Sequence, residues 1–190
     1  GRTGLAHLFE HLMFQGSAQV KGNGHFELVQ GAGGSLNGTT SFERTNYFET
    51  MPAHQLELAL WLEADRMGSL LAALDEESME NQRDVVKNER RQRYDNVPYG
   101  TAFEKLTALV FPEGHPYHHT PIGSMADLDA ATLEDARQFF RTYYAPNNAV
   151  LSVVGDIDPE QTLAWIEKYF GSIPSHDGKP APRDGSLPDV

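Results

Sequence analysis

At 190 residues the chain is long enough for one domain with a substantial core, and its 39% hydrophobic and 22% charged content are ordinary for a globular protein. A net charge of -12 argues against nucleic acid as a partner, since binding it rests on clustered Lys and Arg, and suits a divalent cation or a cationic peptide better. The absence of cysteine excludes disulfides and thiolate metal ligands, and no apolar run approaches the ~18 residues of a membrane span.

The chain opens on GRTGLAHLFEH. Thr3 is a candidate N-cap, and the apolar positions Leu5, Leu8, Phe9, Leu12 and Met13 predict a largely buried helix from about Gly4 to Phe14, before the Gly16-Ser17 break. On it His7 and His11 share a face, and Glu10 sits about 60° round the axis from His7. The order H-x-x-E-H inverts H-E-x-x-H. Two neutral imidazoles one turn apart can hold one side of a zinc ion, and a neighbouring carboxylate can take a proton from water. A core helix that happens to carry two histidines is the alternative, but polar groups on a buried helix need partners.

Further along, HFELVQ reads as a short helix and GAGG as a turn. Leu36 to Met51 is rich in Thr, Tyr and Phe and predicts a hairpin, ended by Pro52. Helical spacing follows from Leu56 to Met67, with Asp65 and Arg66 expected to point outward. The next helix follows Asp75, runs to about Asp95 and is closed by Asn96 and Pro98, and another covers Thr101 to Val110. The Gly and Pro content of EGHPYHHTPIGS predicts a loop, so His115, His118 and His119 read as loop structure rather than a metal cluster. Thr132 starts a capping-box helix through Tyr144, Ala149 to Val154 reads as a buried strand, and Asp158-Pro159 opens an amphipathic helix ending at Gly171. Residues 1-172 thus read as one domain and 173-190 as a Pro/Gly-rich linker. A start at Gly1, without a methionine, reads as a fragment or processed piece whose targeting segment would lie upstream.

A hydrolytic zinc site needs a third protein ligand and an open position. In NQRDVVKNERRQR, positions Met79, Gln82, Val86, Glu89 and Arg93 form one stripe bordered by Val85, so the valines direct Glu89 inward. A core-facing carboxylate calls for a metal or an ion pair, and Arg83, Arg90, Arg91 and Arg93 keep the second possibility open.

These segments together resemble the pitrilysin/insulinase family of zinc peptidases: GRTGLAHLFEHLMFQGS, LNGTTSFERTNYFETMP, QRDVVKNERRQRYDNVPYG, HPYHHTPIGS and FFRTYYAPNNAVLSVVGD, in that order. The resemblance implies that one Zn2+ is held by His7, His11 and Glu89, with Glu10 as general base. Family members commonly carry an acidic residue seven positions before the ligand glutamate. Here that place is Gln82, which leaves a role in orienting the site but none in relaying protons. The family also implies a peptide substrate added as a strand along Leu36-Asn37-Gly38-Thr39-Thr40, with Asn37 holding its main chain, Gly38 allowing close approach and Thr39 beside them. From the residues alone, Asn37 reads as an ordinary hairpin position.

The implied fold is α+β, an antiparallel sheet with helices packed on one face, forming one half of a two-domain clamshell. Its partners would be a peptide substrate and a homologous C-terminal half, in the same or another chain, that supplies an Arg/Tyr pair. The family suggests a periplasmic or secreted setting. The alternatives are a non-catalytic peptide-binding or structural subunit, against which the intact H-x-x-E-H stands, and a zinc-binding fragment inactive without its second half.

Overall fold

Helix α1 (Leu5–Leu12) carries the centre of the molecule, with Leu8, Phe9 and Leu12 at zero exposure. The computed structural model describes residues 1–175. Among these, the order is α1, α2 (Gly24–Gly31), strands β1 (Ser35–Thr40) and β2 (Thr45–Thr50), α3 (Leu56–Ser69), α4 (Glu76–Arg90), α5 (Ala102–Val110), α6 (Met125–Ala130), α7 (Leu133–Tyr143) and α8 (Pro159–Phe170). The protein is α+β as expected, mostly helical around a two-stranded antiparallel sheet.

Strand alternation explains the sheet's two faces. The register pairs Leu36 with Glu49, Gly38 with Tyr47 and Thr40 with Thr45 on the face turned to α1, while Asn37/Phe48 and Thr39/Asn46 occupy the other. Ser41 to Arg44 close the hairpin through a 2.8 Å bond from the Ser41 N–H to the Arg44 carbonyl. One core joins Leu8, Phe9 and Leu12 to Met79 and Val86 of α4, Leu128 of α6 and Phe140 of α7, and a smaller one sets Val29 against Leu62 beside Leu36 and Met51. Each aliphatic side chain fully buried this way contributes about 1.5–3 kcal/mol.

Thr3 does not cap α1, whose N-cap is Gly4 at φ 84°. Thr3 instead gives its N–H to Asp127 at 3.0 Å and accepts the Ser124 N–H at 3.1 Å, tying the chain start to α6. Arg66 is not outward but 3% exposed, because two aromatic rings and a carboxylate receive it. Its guanidinium lies 5.0 Å from the Phe14 ring centre and 4.5 Å from that of Tyr47, and it forks onto Glu63. Asp65 likewise turns to Ser17 and Ser69. Residues 149–154 form no strand, for no described residue supplies the neighbouring ladder that a strand requires, and Val150 and Val154 are 97% and 92% exposed. Of the expected linker at 173–190, residues 176–190 lie outside the described residues.

Candidate metal centre

Four side chains from two helices converge beneath β1. The one-turn spacing on α1 places the His7 and His11 rings 4.9 Å apart at 83°. Helix α4 starts with a capping box in which Asp75 accepts the Ser78 N–H at 2.8 Å, and buries Met79, Gln82 and Val86 against α1. That anchoring carries the same stripe on to Glu89, whose Oε2 lies 3.6 Å from His7 Nε2 and 3.3 Å from His11 Nε2. Directly after α4 the chain widens into a π-turn over Arg91–Asp95. Arg90 fixes that end, binding Glu104 at 3.0 Å and the Gly123 carbonyl at 2.7 Å.

The two oxygens of Glu89 turn to different partners. While Oε2 faces the histidines, Oε1 takes the Arg93 guanidinium at 2.8 Å, one turn on. The hydrogen bond from His11 pulls the Glu89 carboxylate below its ordinary range. Burial pushes the His7 imidazole down to about 4, leaving it neutral at pH 7, the state in which a ring nitrogen can be given to a metal. His7 Nδ1 is buried without a hydrogen-bond partner among the described residues.

The donor set fits zinc. Tetrahedral zinc with bonds of ~2.0–2.1 Å sets its ligand atoms roughly 3.4 Å apart; the Glu89 oxygen stands 3.6 and 3.3 Å from the two imidazole nitrogens, and all three donor atoms lie within 4.8 Å of one another. Glu10 is 8% exposed, and burial raises its carboxyl pKa against the opposing hydrogen bond from Thr40. A Cβ on Gly38 would lie 3.0 Å from Glu10 Cγ and Oε1, so the glycine leaves room for the carboxylate beneath the strand.

Sequence reasoning passed over Thr40, although strand alternation pointed to it: if Gly38 faces Glu10, Thr40 does too and Thr39 cannot. Thr39 and Asn37 are exposed, and Asn37 Oδ1 takes the Gly38 N–H at 2.8 Å. Gln82 is buried on the α4 stripe upstream of Glu89. The loop histidines serve structure: His115 Nδ1 accepts the Tyr117 N–H at 3.1 Å, His118 Nδ1 meets the Phe111 carbonyl at 2.7 Å, and His119 Nδ1 lies 3.3 Å from the Thr120 carbonyl.

One other His/Glu/Glu set is gathered among the described residues, His25 Nε2 lying 4.0 Å from Glu49 and 3.8 Å from Glu63. Arg66 neutralises Glu63 there. Burial pushes His25 down to about 3 and Glu49 up to about 7, so below pH 7 this set balances its charge without a metal.

Two imidazoles and an inward carboxylate on a buried helix pair, with a second carboxylate beside them, make a donor set that could hold a divalent metal. Comparison with known proteins agrees. Residues 2–117 match insulinase (peptidase family M16), and residues 130–190 match the peptidase M16 inactive domain. The chain belongs to the M16 peptidase family. It is 39% identical over 184 residues to zinc protease PqqE of Helicobacter pylori, a match covering 96% of this chain and 40% of that protein. The crystal structure of a protease from Helicobacter pylori superposes with a TM-score of 0.90 at 37% identity, over 96% of this chain and 43% of that one. The periplasmic protease PqqL of Escherichia coli shares the fold, with a TM-score of 0.83 at 24% identity over 97% of this chain and 21% of that one. The chain therefore spans about 40% of the length of the first of these relatives. No helix among the described residues is long and apolar enough to cross a membrane.

Proposed function

We propose that this chain is the zinc-binding half of a two-domain peptidase that hydrolyses peptide bonds in peptides or unfolded segments. The observation that carries the reading is the convergence of His7, His11 and Glu89 donors beside a buried Glu10. Zinc in this donor set supplies Lewis acidity, bringing the pKa of water towards ~7 and polarising a carbonyl. Glu10 takes the proton of the attacking water and returns it to the leaving amine, and its raised pKa suits both transfers. Gln82 orients the site without relaying protons.

The edge of β1 away from β2 is unpaired among the described residues and can receive the substrate backbone as an added strand. The Gly38 N–H on that edge is held by the Asn37 carboxamide, which a substrate strand would release to bind the incoming main chain. Thr39 projects beside it. The length of the relatives supports a second half-domain closing over this edge, without which the chain binds zinc but does not turn over. The periplasmic setting of the Escherichia coli relative favours the same compartment here.

Glu10→Gln in the full-length protein tests the reading. Zinc should be retained while peptide cleavage falls by at least about 100-fold, the lower end of what a general base contributes. Cleavage near the parent rate would reject Glu10 as the base.

A further inference from the structure

Between α1, the hairpin and the end of α7, a row of hydroxyls stands in contact and ends on Glu10. Thr40 Oγ donates to Glu10 Oε2. Thr40 Oγ also lies 3.2 Å from Thr45 Oγ, its register partner across the hairpin. Thr45 hydrogen-bonds Tyr144, and the Tyr144 hydroxyl lies 2.7 Å from that of Tyr47.

The direction of these bonds follows from counting hydrogens. Each hydroxyl has one to give, and a carboxylate only accepts. With the Thr40 hydrogen committed to Glu10, Thr45 must donate to Thr40. Tyr144 must then donate to Thr45, and Tyr47 to Tyr144. Burial holds Tyr47 well above its ordinary pKa and Tyr144 at about 12, so both keep the hydrogen this order requires. Arg66 stands over the Tyr47 ring, and Phe9 packs 4.8 Å from the Tyr144 ring, so the far end is held by the core itself.

We propose that Thr40 is the positioning residue for Glu10, and that its hydroxyl is aimed by the one-way chain Tyr47 to Tyr144 to Thr45 to Thr40. The proposal rests on Glu10 acting as the base. Gly38 opens the space that the carboxylate enters and Thr40 fixes it there, so the hairpin that would receive substrate also sets the base.

The test uses the full-length protein and four variants: Thr40→Val, Thr40→Ser, Tyr144→Phe and Glu10→Gln. Thr40→Val keeps the shape and removes the donor, and it should lower kcat on the order of 10- to 100-fold with KM and zinc content unchanged. A crystal structure of that variant should show the Glu10 carboxylate displaced from beneath Gly38. Thr40→Ser, which keeps the hydroxyl, should restore most of the loss. Tyr144→Phe should lower kcat less in the parent and add nothing in the Thr40→Val background, because the two act in series. An unchanged kcat in Thr40→Val, or losses that simply add in the double variant, would overturn the proposal while an inactive Glu10→Gln keeps Glu10 as base. Loss of zinc from Thr40→Val would make its role merely structural and overturn it equally. Turnover by Glu10→Gln would remove the underlying reading.

Discussion

Glu89 faces two ways, its Oε2 lying 3.3 Å from His11 Nε2 and its Oε1 2.8 Å from the Arg93 guanidinium. Arg93 is 73% exposed, and ion pairs of that kind contribute only about 0–1 kcal/mol. Arg93→Ala should therefore weaken zinc binding by no more than about fivefold, with the remaining effect fading as salt is raised. A zinc competition titration at low and high ionic strength measures both. Loss of the metal would show that the arginine, rather than packing on α4, directs the carboxylate.

Gly38→Ala places a methyl group 3.0 Å from Glu10 Cγ and Oε1, and the carboxylate must move to admit it. Because the yielding atoms are the end of a flexible side chain, stability should change by less than about 1 kcal/mol. Turnover should fall on the order of 100-fold with zinc retained, since a small misplacement of a reacting group is that damaging. Parallel urea unfolding, metal analysis and peptide cleavage separate the three effects.

Phe9 has zero exposure and packs 5.3 Å from the Phe139 ring, 6.0 Å from Phe140 and 4.8 Å from Tyr144. Phe9→Ala should cost about 3–5 kcal/mol in a urea titration, the range for deleting a core aromatic ring. A loss below 1 kcal/mol would mean that the α1–α7 contact is not part of the stabilising core.

The His25–Glu49 pair has a defined pH signature. The Glu49 carboxyl is raised in the fold to about 7, so its contribution is full below the unfolded value near 4.5 and is lost as pH rises through about 7. The His25 imidazole is lowered to about 3, so its contribution is full above the unfolded value near 6.5 and is lost as pH falls towards 3. Between 4.5 and 6.5 the two oppose each other: the proton carried by the imidazole in the unfolded chain sits on the carboxyl in the fold. Glu49→Gln keeps a neutral group in place. Relative to the parent it should gain stability as pH rises from 5 to 8, measured by urea midpoints at each pH. A difference that does not vary with pH would contradict the pairing.

The part of the site lying within one helix was legible in the sequence, because helical spacing alone sets His7, Glu10 and His11 side by side. Glu89 was half legible: the stripe of Met79 and Val86 fixed the face it occupies, whereas Val85, expected to border it, is exposed; sequence could not choose between metal and arginine, and in the structure one oxygen turns in each direction. The hairpin was found, but Thr40, the residue on it that meets Glu10, was passed over, because which face of the strand turns to α1 is set by packing between distant segments. Arg66 was misplaced because charge suggested solvent, whereas the rings of Phe14 and Tyr47 and the Glu63 carboxylate come from separate segments and together make burial tolerable. The apolar run at 149–154 failed as a strand for a related reason: sequence reports the preference of a segment, and a ladder also needs a neighbour.

The proposed function requires that His7, His11 and Glu89 hold one zinc ion between them. Elemental analysis of the purified protein beside Glu89→Ala, with circular dichroism to verify that both are folded, tests it most directly. One zinc per chain in the parent and none retained by the folded variant is the expected result; equal zinc in both would contradict the ligand set.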